Sequence, residues 1–136
     1  IALALPAERV VGLVGIAAAP DFTDWGTSKK DRKKLAAGKP VFEDNPYGPD
    51  PTPTYPGFWE DGEANRLLEG PIALACPVRL IHGQADPDVP WDIALRLAEQ
   101  LESADVRVVL IKDGDHRLSR ESDIAVLLET VKGLVP

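Results

Sequence analysis

A parallel β-sheet wrapped by helices, the α/β class, is what this 136-residue sequence predicts. Two observations lead there. Apolar, β-branched runs alternate with segments of helical periodicity, and that alternation implies crossovers that set successive strands side by side and parallel. The first of the runs, Val10–Ile16, is apolar at consecutive positions rather than every second one, as a strand covered on both faces is. The length fits a single domain.

The elements follow in order. Residues 1–5 (IALAL) are good helix formers, and Pro6 ends them. Val10–Ile16 (VVGLVGI) reads as a buried strand, closed by the small-residue loop Ala17–Asp21. A polar helix spans Thr27–Ala37, with Ser28 as cap and Gly38 as stop. Its Lys29, Lys30, Arg32, Lys33 and Lys34 read as a solvated face rather than an anion site. Five prolines between Pro46 and Pro56 (46, 49, 51, 53, 56) predict an extended loop, and residues 22–59 as a whole read as an irregular insert. A short helix follows at Phe58–Glu69, ended by Gly70-Pro71. Val78–His82 is the second strand and Gly83 its end. Trp91–Leu101 carries an apolar stripe at 94, 95, 97, 98 and 101, opened by Pro90. Val106–Lys112 is the third strand. The last helix begins at Ser122 or Asp123, with Ile124, Val126, Leu127, Leu128, Val131 and Leu134 on its apolar side.

Composition removes several function classes. With Lys plus Arg at 15 and Asp plus Glu at 22, the formal charge is −7, against the basic face that non-specific nucleic-acid binding requires. The lone Cys76 excludes an intrachain disulfide and a thiolate metal cluster. No apolar run reaches the roughly 20 residues of a membrane-spanning helix. A reduced, cytoplasmic location is the default expectation. The chain contains no methionine and begins with Ile1, so the expectation is that Ile1 is not the natural start.

In α/β sheets, chemistry gathers in the loops past the carboxyl ends of the strands. Here those loops are Ala19–Thr23, Gly83–Pro90 and Asp113–Arg117. Asp86 on one and His116 on the next, 30 residues apart, are spaced for one helical crossover. The pairing suits general-base catalysis, since a carboxylate fixes the imidazole tautomer and stabilises the imidazolium that forms. His82, directly before Gly83, reads as a loop-bracing residue, and Asp88 as a turn or helix-entry residue. A metal site drawn from His82, Asp86, Asp88, Asp115 and His116 has no helical His spacing to support it, so no metal and no cofactor is expected. Seven of the eight aromatics (Phe22, Trp25, Phe42, Tyr47, Tyr55, Phe58, Trp59) fall within residues 22–59. Such a concentration either covers something apolar or forms a small satellite core for the proline-rich loop. Trp91 reads as packing its helix against the sheet.

The run His82-Gly83-Gln84-Ala85-Asp86-Pro87-Asp88-Val89-Pro90, followed by Gly114-Asp115-His116, resembles the acid and histidine loops of the α/β-hydrolase superfamily. GIAAAPDFT (15–23), PVRLIHGQADPDVPW (77–91) and KDGDHRLSR (112–120) are similar to the branch that includes the mitochondrial palmitoyl-protein thioesterase and acyl-glucuronide esterase, with its bacterial relatives. The resemblance covers nearly the whole chain and is weakest between Trp25 and Pro56. It implies Asp86 as triad acid and His116 as triad base, with Asp21 the competing acid. It also implies that residues 22–59 overlie the active site, with Trp25 and Trp59 touching the acyl group of a small-molecule or acyl-protein ester.

The nucleophile has no counterpart. The superfamily carries it in a G-x-S-x-G strand-to-helix elbow, and none of Ser28, Ser103, Ser119 or Ser122 has Gly at both offsets. Cys76 precedes its strand. The resemblance puts the elbow upstream of Ile1, which makes the expected fold the C-terminal part of an α/β-hydrolase: three parallel strands, flanking helices and a lid-like insert. Esterase or thioesterase activity is expected of the parent protein, and inactivity of this chain alone. The competing expectations are a non-catalytic α/β module that self-associates through the open edge at Val10–Ile16, and peptidase activity on the same fold.

Overall fold

The computed structural model describes Leu3, residues 9–45 and residues 48–134. The helix expected at residues 1–5 falls outside the described residues except for Leu3, as does Tyr47. Along the chain run β1 (Leu13–Ile16), α1 (Phe22–Trp25), α2 (Lys29–Ala36), β2 (Val41–Glu43) and β3 (Thr52–Thr54). They are followed by α3 (Pro56–Ala64), β4 (Val78–Gly83), α4 (Asp92–Gln100), β5 (Val106–Ile111) and α5 (Glu121–Lys132). These elements form two compact units, Asp21–Arg66 and the remainder (Ile1–Pro20 with Leu67–Pro136).

The larger unit is built on a parallel sheet of order β1-β4-β5. All six residues of the central β4 are buried, the polar Arg79 and His82 among them. Leu13 and Val106 both pair with Val78, so the strands start level, and Gly83 meets Ile111 at the far end. Because β4 and β5 finish at the same edge, their following loops leave the sheet as neighbours. At the opposite edge, the buried Arg79 guanidinium grips the Asp105 carboxylate through two bonds of 2.9 Å. The strand expected over Val10–Ile16 is shorter, Leu13–Ile16, with Val11 92% and Ile16 42% exposed; among the described residues β1 pairs with β4.

Helix α4 makes the crossover between β4 and β5. Ile93, Ala94, Leu97 and Leu101 are buried, whereas Leu95 is 40% exposed. The expected stripe is thus corrected by one position: Leu95 lies about 200° around the helix from Ile93, off the buried arc. Helix α5 starts one to two residues earlier than expected, at Glu121, with Arg120 as its cap residue. Its apolar side does not pack as expected. Ile124, Leu128 and Val131 form an exposed stripe. A cleft of about 510 Å3, lined in part by Arg79, Val109, Val126 and Thr130, separates the helix from the sheet.

The Asp21–Arg66 unit is more regular than the insert expected over residues 22–59. Ser28 caps α2 by accepting the Asp31 N–H at 3.1 Å, and Gly38 ends the helix region in the left-handed conformation (φ 72°). Lys29, Lys30, Lys33 and Lys34 are exposed on α2, and Arg32 turns back to the Thr27 and Asp24 carbonyls. The proline-rich loop contains β3, paired antiparallel with β2. Proline fits there because Phe42↔Pro53 is flanked by Val41↔Thr54 and Glu43↔Thr52. An antiparallel ladder alternates bonded and non-bonded pairs, so Pro53 takes a position that calls for no N–H.

Helix α3 runs from Pro56 to Ala64 rather than Phe58 to Glu69. Pro56 opens it at the first helical turn, and Asn65 closes it by donating both its backbone N–H and its side-chain N–H to the Asp61 carbonyl. Gly62 lets α3 approach α1 closely, since a Cβ there would lie 2.8 Å from Phe22 Cζ and Thr23 Cγ2. Phe22 and Phe58 stack with centroids 5.0 Å apart. With Leu35, Val41 and Thr23 buried, the unit has a small core of its own.

Candidate active site

Two glycines bring the strand-end loops together. A Cβ on Gly83 would sit 2.1 Å from the Gly114 carbonyl oxygen, so only glycine permits the crossing of these two backbones. Ala85 N–H donates to the Gly114 carbonyl (3.0 Å) and Gln84 N–H to that of Ile111 (2.8 Å), which ties the two loops together.

Three residues past Gly83, the chain folds around the Asp86 carboxylate. Oδ1 accepts the backbone N–H groups of Asp88 (2.8 Å) and Val89 (3.0 Å). This is the local turn that Asp favours, stiffened here by Pro87 and anchored by the buried Val89. Oδ2 is left for other partners. His116 Nδ1 stands 2.9 Å from it. His82 Nε2, fully buried, stands 3.2 Å from the same oxygen and 3.1 Å from the Val89 carbonyl.

The His116 loop is braced independently. Asp115 Oδ1 accepts the N–H groups of Arg117 (3.1 Å) and Leu118 (2.9 Å), holding Leu118 in the left-handed region (φ 44°) with its side chain buried. For a non-glycine residue that conformation costs about 1–2 kcal/mol, so the loop's geometry is enforced by its surroundings. Beyond it, the Arg120 guanidinium bridges Asp113 (2.7 Å) and Asp123 (2.8 Å), tying the loop's start to the first turn of α5.

The pair is poised for proton traffic. The Asp86 side chain is wholly buried and that of His116 is 38% exposed, so one partner is locked while the other reaches solvent. Burial raises the Asp86 carboxyl, but the bonds from Val89 N–H, His116 and Asp88 N–H outweigh it and hold the group below its ordinary range. The carboxylate is therefore ionised at neutral pH. With Nδ1–H donated to Asp86, the Nε2 lone pair of His116 is free to act as a base.

The other sequence candidates stand elsewhere or play different parts. Trp25 ends α1 and Trp59 lies on α3; both are half-buried within the Asp21–Arg66 unit, and the Trp59 indole N–H is buried without a partner. Asp21 belongs to that unit as the cap residue of α1, with its carboxylate 3.9 Å from Arg66 Nε. Asp88 is exposed and contributes its backbone N–H. Ligand atoms of Asp86, Asp88 and His116 lie within 4.8 Å of one another. A cation there would have to compete with N–H donors already engaging both Asp86 oxygens. Gly83 reads in the sequence only as a strand end, and the role of Arg120 has no counterpart among the sequence expectations. The signals were present: a glycine closing one strand, a glycine two residues before the histidine, and an Arg between two Asp.

No family-level sequence profile matches the chain. Individual proteins do. The mouse palmitoyl-protein thioesterase ABHD10, mitochondrial, is 36% identical over 138 residues, covering 98% of this chain and 46% of that protein. A crystal structure of a protein from Agrobacterium vitis S4, described as a hydrolase, superposes with a TM-score of 0.84 at 40% identity, over 93% of this chain and 50% of that one. Mouse alpha/beta hydrolase domain-containing protein 10 gives 0.80 at 34% identity, over 93% and 52%. The chain spans about half the length of the relatives it matches. The parallel sheet and flanking helices have the α/β-hydrolase fold, and the chain resembles the thioesterase branch of that superfamily over 98% of its residues.

Proposed function

We propose that this chain carries the acid and base of a serine-hydrolase active site, as the C-terminal part of a protein that cleaves carboxylic esters or thioesters through an acyl-enzyme. The observation that carries the reading is the 2.9 Å contact between His116 Nδ1 and a buried Asp86 whose second oxygen is tied to two backbone N–H groups. In this reading a serine outside these 136 residues attacks the acyl carbonyl. His116 Nε2 takes the hydroxyl proton and passes it to the leaving group. Asp86 fixes the ring and balances the charge that forms, and a water activated by His116 releases the acyl group.

The four serines within the chain support placing the nucleophile elsewhere. Ser28 caps α2, Ser103 accepts the Asp105 N–H, and Ser119 and Ser122 flank the start of α5. None follows a strand as an elbow does. The chain by itself is therefore inactive in this reading. The thioesterase names of the mammalian relatives make a long acyl chain in thioester linkage to a protein the first substrate to try. Trp25 and Trp59 are our candidates for contact with that chain. Hydrolysis of an ester and thioester series by the full-length protein tests the proposal. His116→Ala should reduce turnover by on the order of 10³-fold or more; wild-type turnover in that variant would overturn it.

A second reading, self-association through β1, is favoured by the open edge of that strand and the exposure of Val11 and Ile16. Sedimentation of the full-length protein distinguishes it. No helix among the described residues is long and apolar enough to cross a membrane. We propose a reducing, cytoplasm-like compartment for this chain; the mouse relative is named mitochondrial, and cell fractionation decides between the two.

A further inference from the structure

We infer that His82 is a positioning residue for the catalytic acid: its Nε2–H, donated to the Val89 carbonyl with Asp86 Oδ2 3.2 Å away, pins the turn that holds the carboxylate toward His116. The inference rests on the hydrolase reading above and extends it to a residue inside the core.

The geometry leaves little choice of roles. Both atoms facing His82 Nε2, Asp86 Oδ2 at 3.2 Å and the Val89 carbonyl oxygen at 3.1 Å, are acceptors only. The hydrogen must therefore sit on Nε2. The other ring nitrogen, Nδ1, is buried without a partner, so nothing in the core calls for a hydrogen there. The imidazole is entirely enclosed and its Cα lies within the buried β4, one residue before the strand's end, so the ring is held in place.

Counting donors on Asp86 shows what His82 adds. Two backbone N–H groups hold Oδ1, and both come from the loop that Asp86 itself shapes. Oδ2 takes its hydrogen bond from His116, whose ring is partly exposed. His82 anchors the turn from the sheet rather than from a loop: its N–H is donated to the Val89 carbonyl, and the Val89 N–H in turn holds Asp86 Oδ1. A side chain that merely filled volume at this position would need no N–H directed at that carbonyl.

The test uses the full-length protein with His82→Leu, which keeps bulk and removes the donor, and His82→Gln, which restores an N–H at comparable reach. Turnover of a p-nitrophenyl ester, thermal melting and the low-field proton resonance of the His116–Asp86 bond are read together. The expected result is a fall in kcat of about 10- to 100-fold in His82→Leu with KM within about twofold, and recovery of most of it in His82→Gln. The low-field resonance should be lost or shifted in His82→Leu and retained in His82→Gln. Wild-type kcat in His82→Leu, or no recovery in His82→Gln, overturns the inference. Should His82→Leu fail to fold, ¹⁵N-histidine spectra of the wild type decide: an Nδ1-protonated His82 contradicts the assignment. Failure of the hydrolase reading has a separate signature, undiminished turnover in His116→Ala.

Discussion

The loop after β4 and the Asp21–Arg66 unit hold their polar groups in opposite ways. In the first, every acceptor on the Asp86 side chain faces a donor within 3.2 Å, and the chain is clamped at Gly83 against a neighbouring backbone. In the second, Thr23 Oγ and the Trp59 indole N–H are buried without partners, and Phe42, Tyr55 and Phe58 are more than half exposed. Hydrogen bonds over-determine one region to a fraction of an ångström. Packing shapes the other, and packing tolerates exchange. The difference teaches that polar geometry here is fixed by directed hydrogen bonds at the strand ends and by side-chain packing in the smaller unit.

The sharpest way to break the contrast is at Asp86. Asp86→Asn in the full-length protein keeps the shape but offers His116 the wrong tautomeric partner, and turnover should fall on the order of 10⁴-fold. Trp59→Ala should instead redistribute rates across an acyl-chain series by about tenfold or less. A uniform loss across the series with lowered stability would reduce Trp59 to a core residue. On stability, the corresponding break is Gly83→Ala, whose Cβ would meet backbone 2.1 Å away. Since backbone cannot swing aside as a side chain can, the variant should lose at least about 3 kcal/mol in a urea titration, against under about 1 kcal/mol for Gly57→Ala, where a Cβ meets nothing within 4 Å.

Much of this was legible in the residues, for a physical reason. The β4–α4 and β5–α5 loops are built from local turns that Asp, Pro and Gly encode directly, so Asp86 and His116 could be paired from spacing alone. The proline-rich insert reads as irregular because proline vetoes most ladders; that Pro53 occupies a non-bonded position in one is a matter of register, which composition does not carry. Leu95 reads as part of the buried stripe because two adjacent apolar residues differ only in angle, and the sheet decides which is covered. The reach of Arg120 to both Asp113 and Asp123 depends on the turn at Leu118, a left-handed residue that its side-chain type disfavours.

The stripe correction yields a further test. Leu97→Ala, in a fully buried position, should cost about 2–5 kcal/mol, and Leu95→Ala about 0.5 kcal/mol. Equal costs would restore the wider stripe. A smaller effect follows from charge. Asp86, Asp105, Asp113 and Asp123 all have carboxyls held below their ordinary range. Groups with folded values so lowered contribute stability that is fully present above the unfolded carboxylate range, about pH 4, and is lost as pH falls through the folded values. Urea midpoints should hold between pH 7 and 5 and decline steadily below 4. Replacing Asp86 by Asn should remove part of that slope.

The central claim is that Asp86 and His116 serve a nucleophile which these residues do not themselves supply. Fluorophosphonate labelling of the full-length protein, wild type beside His116→Ala, with mapping of the modified peptide, addresses it most directly. The account predicts one modified serine outside the 136 residues, labelled on the order of 10³-fold more slowly when the imidazole is absent. An adduct on Ser28, Ser103, Ser119 or Ser122, or a labelling rate indifferent to His116, would contradict it.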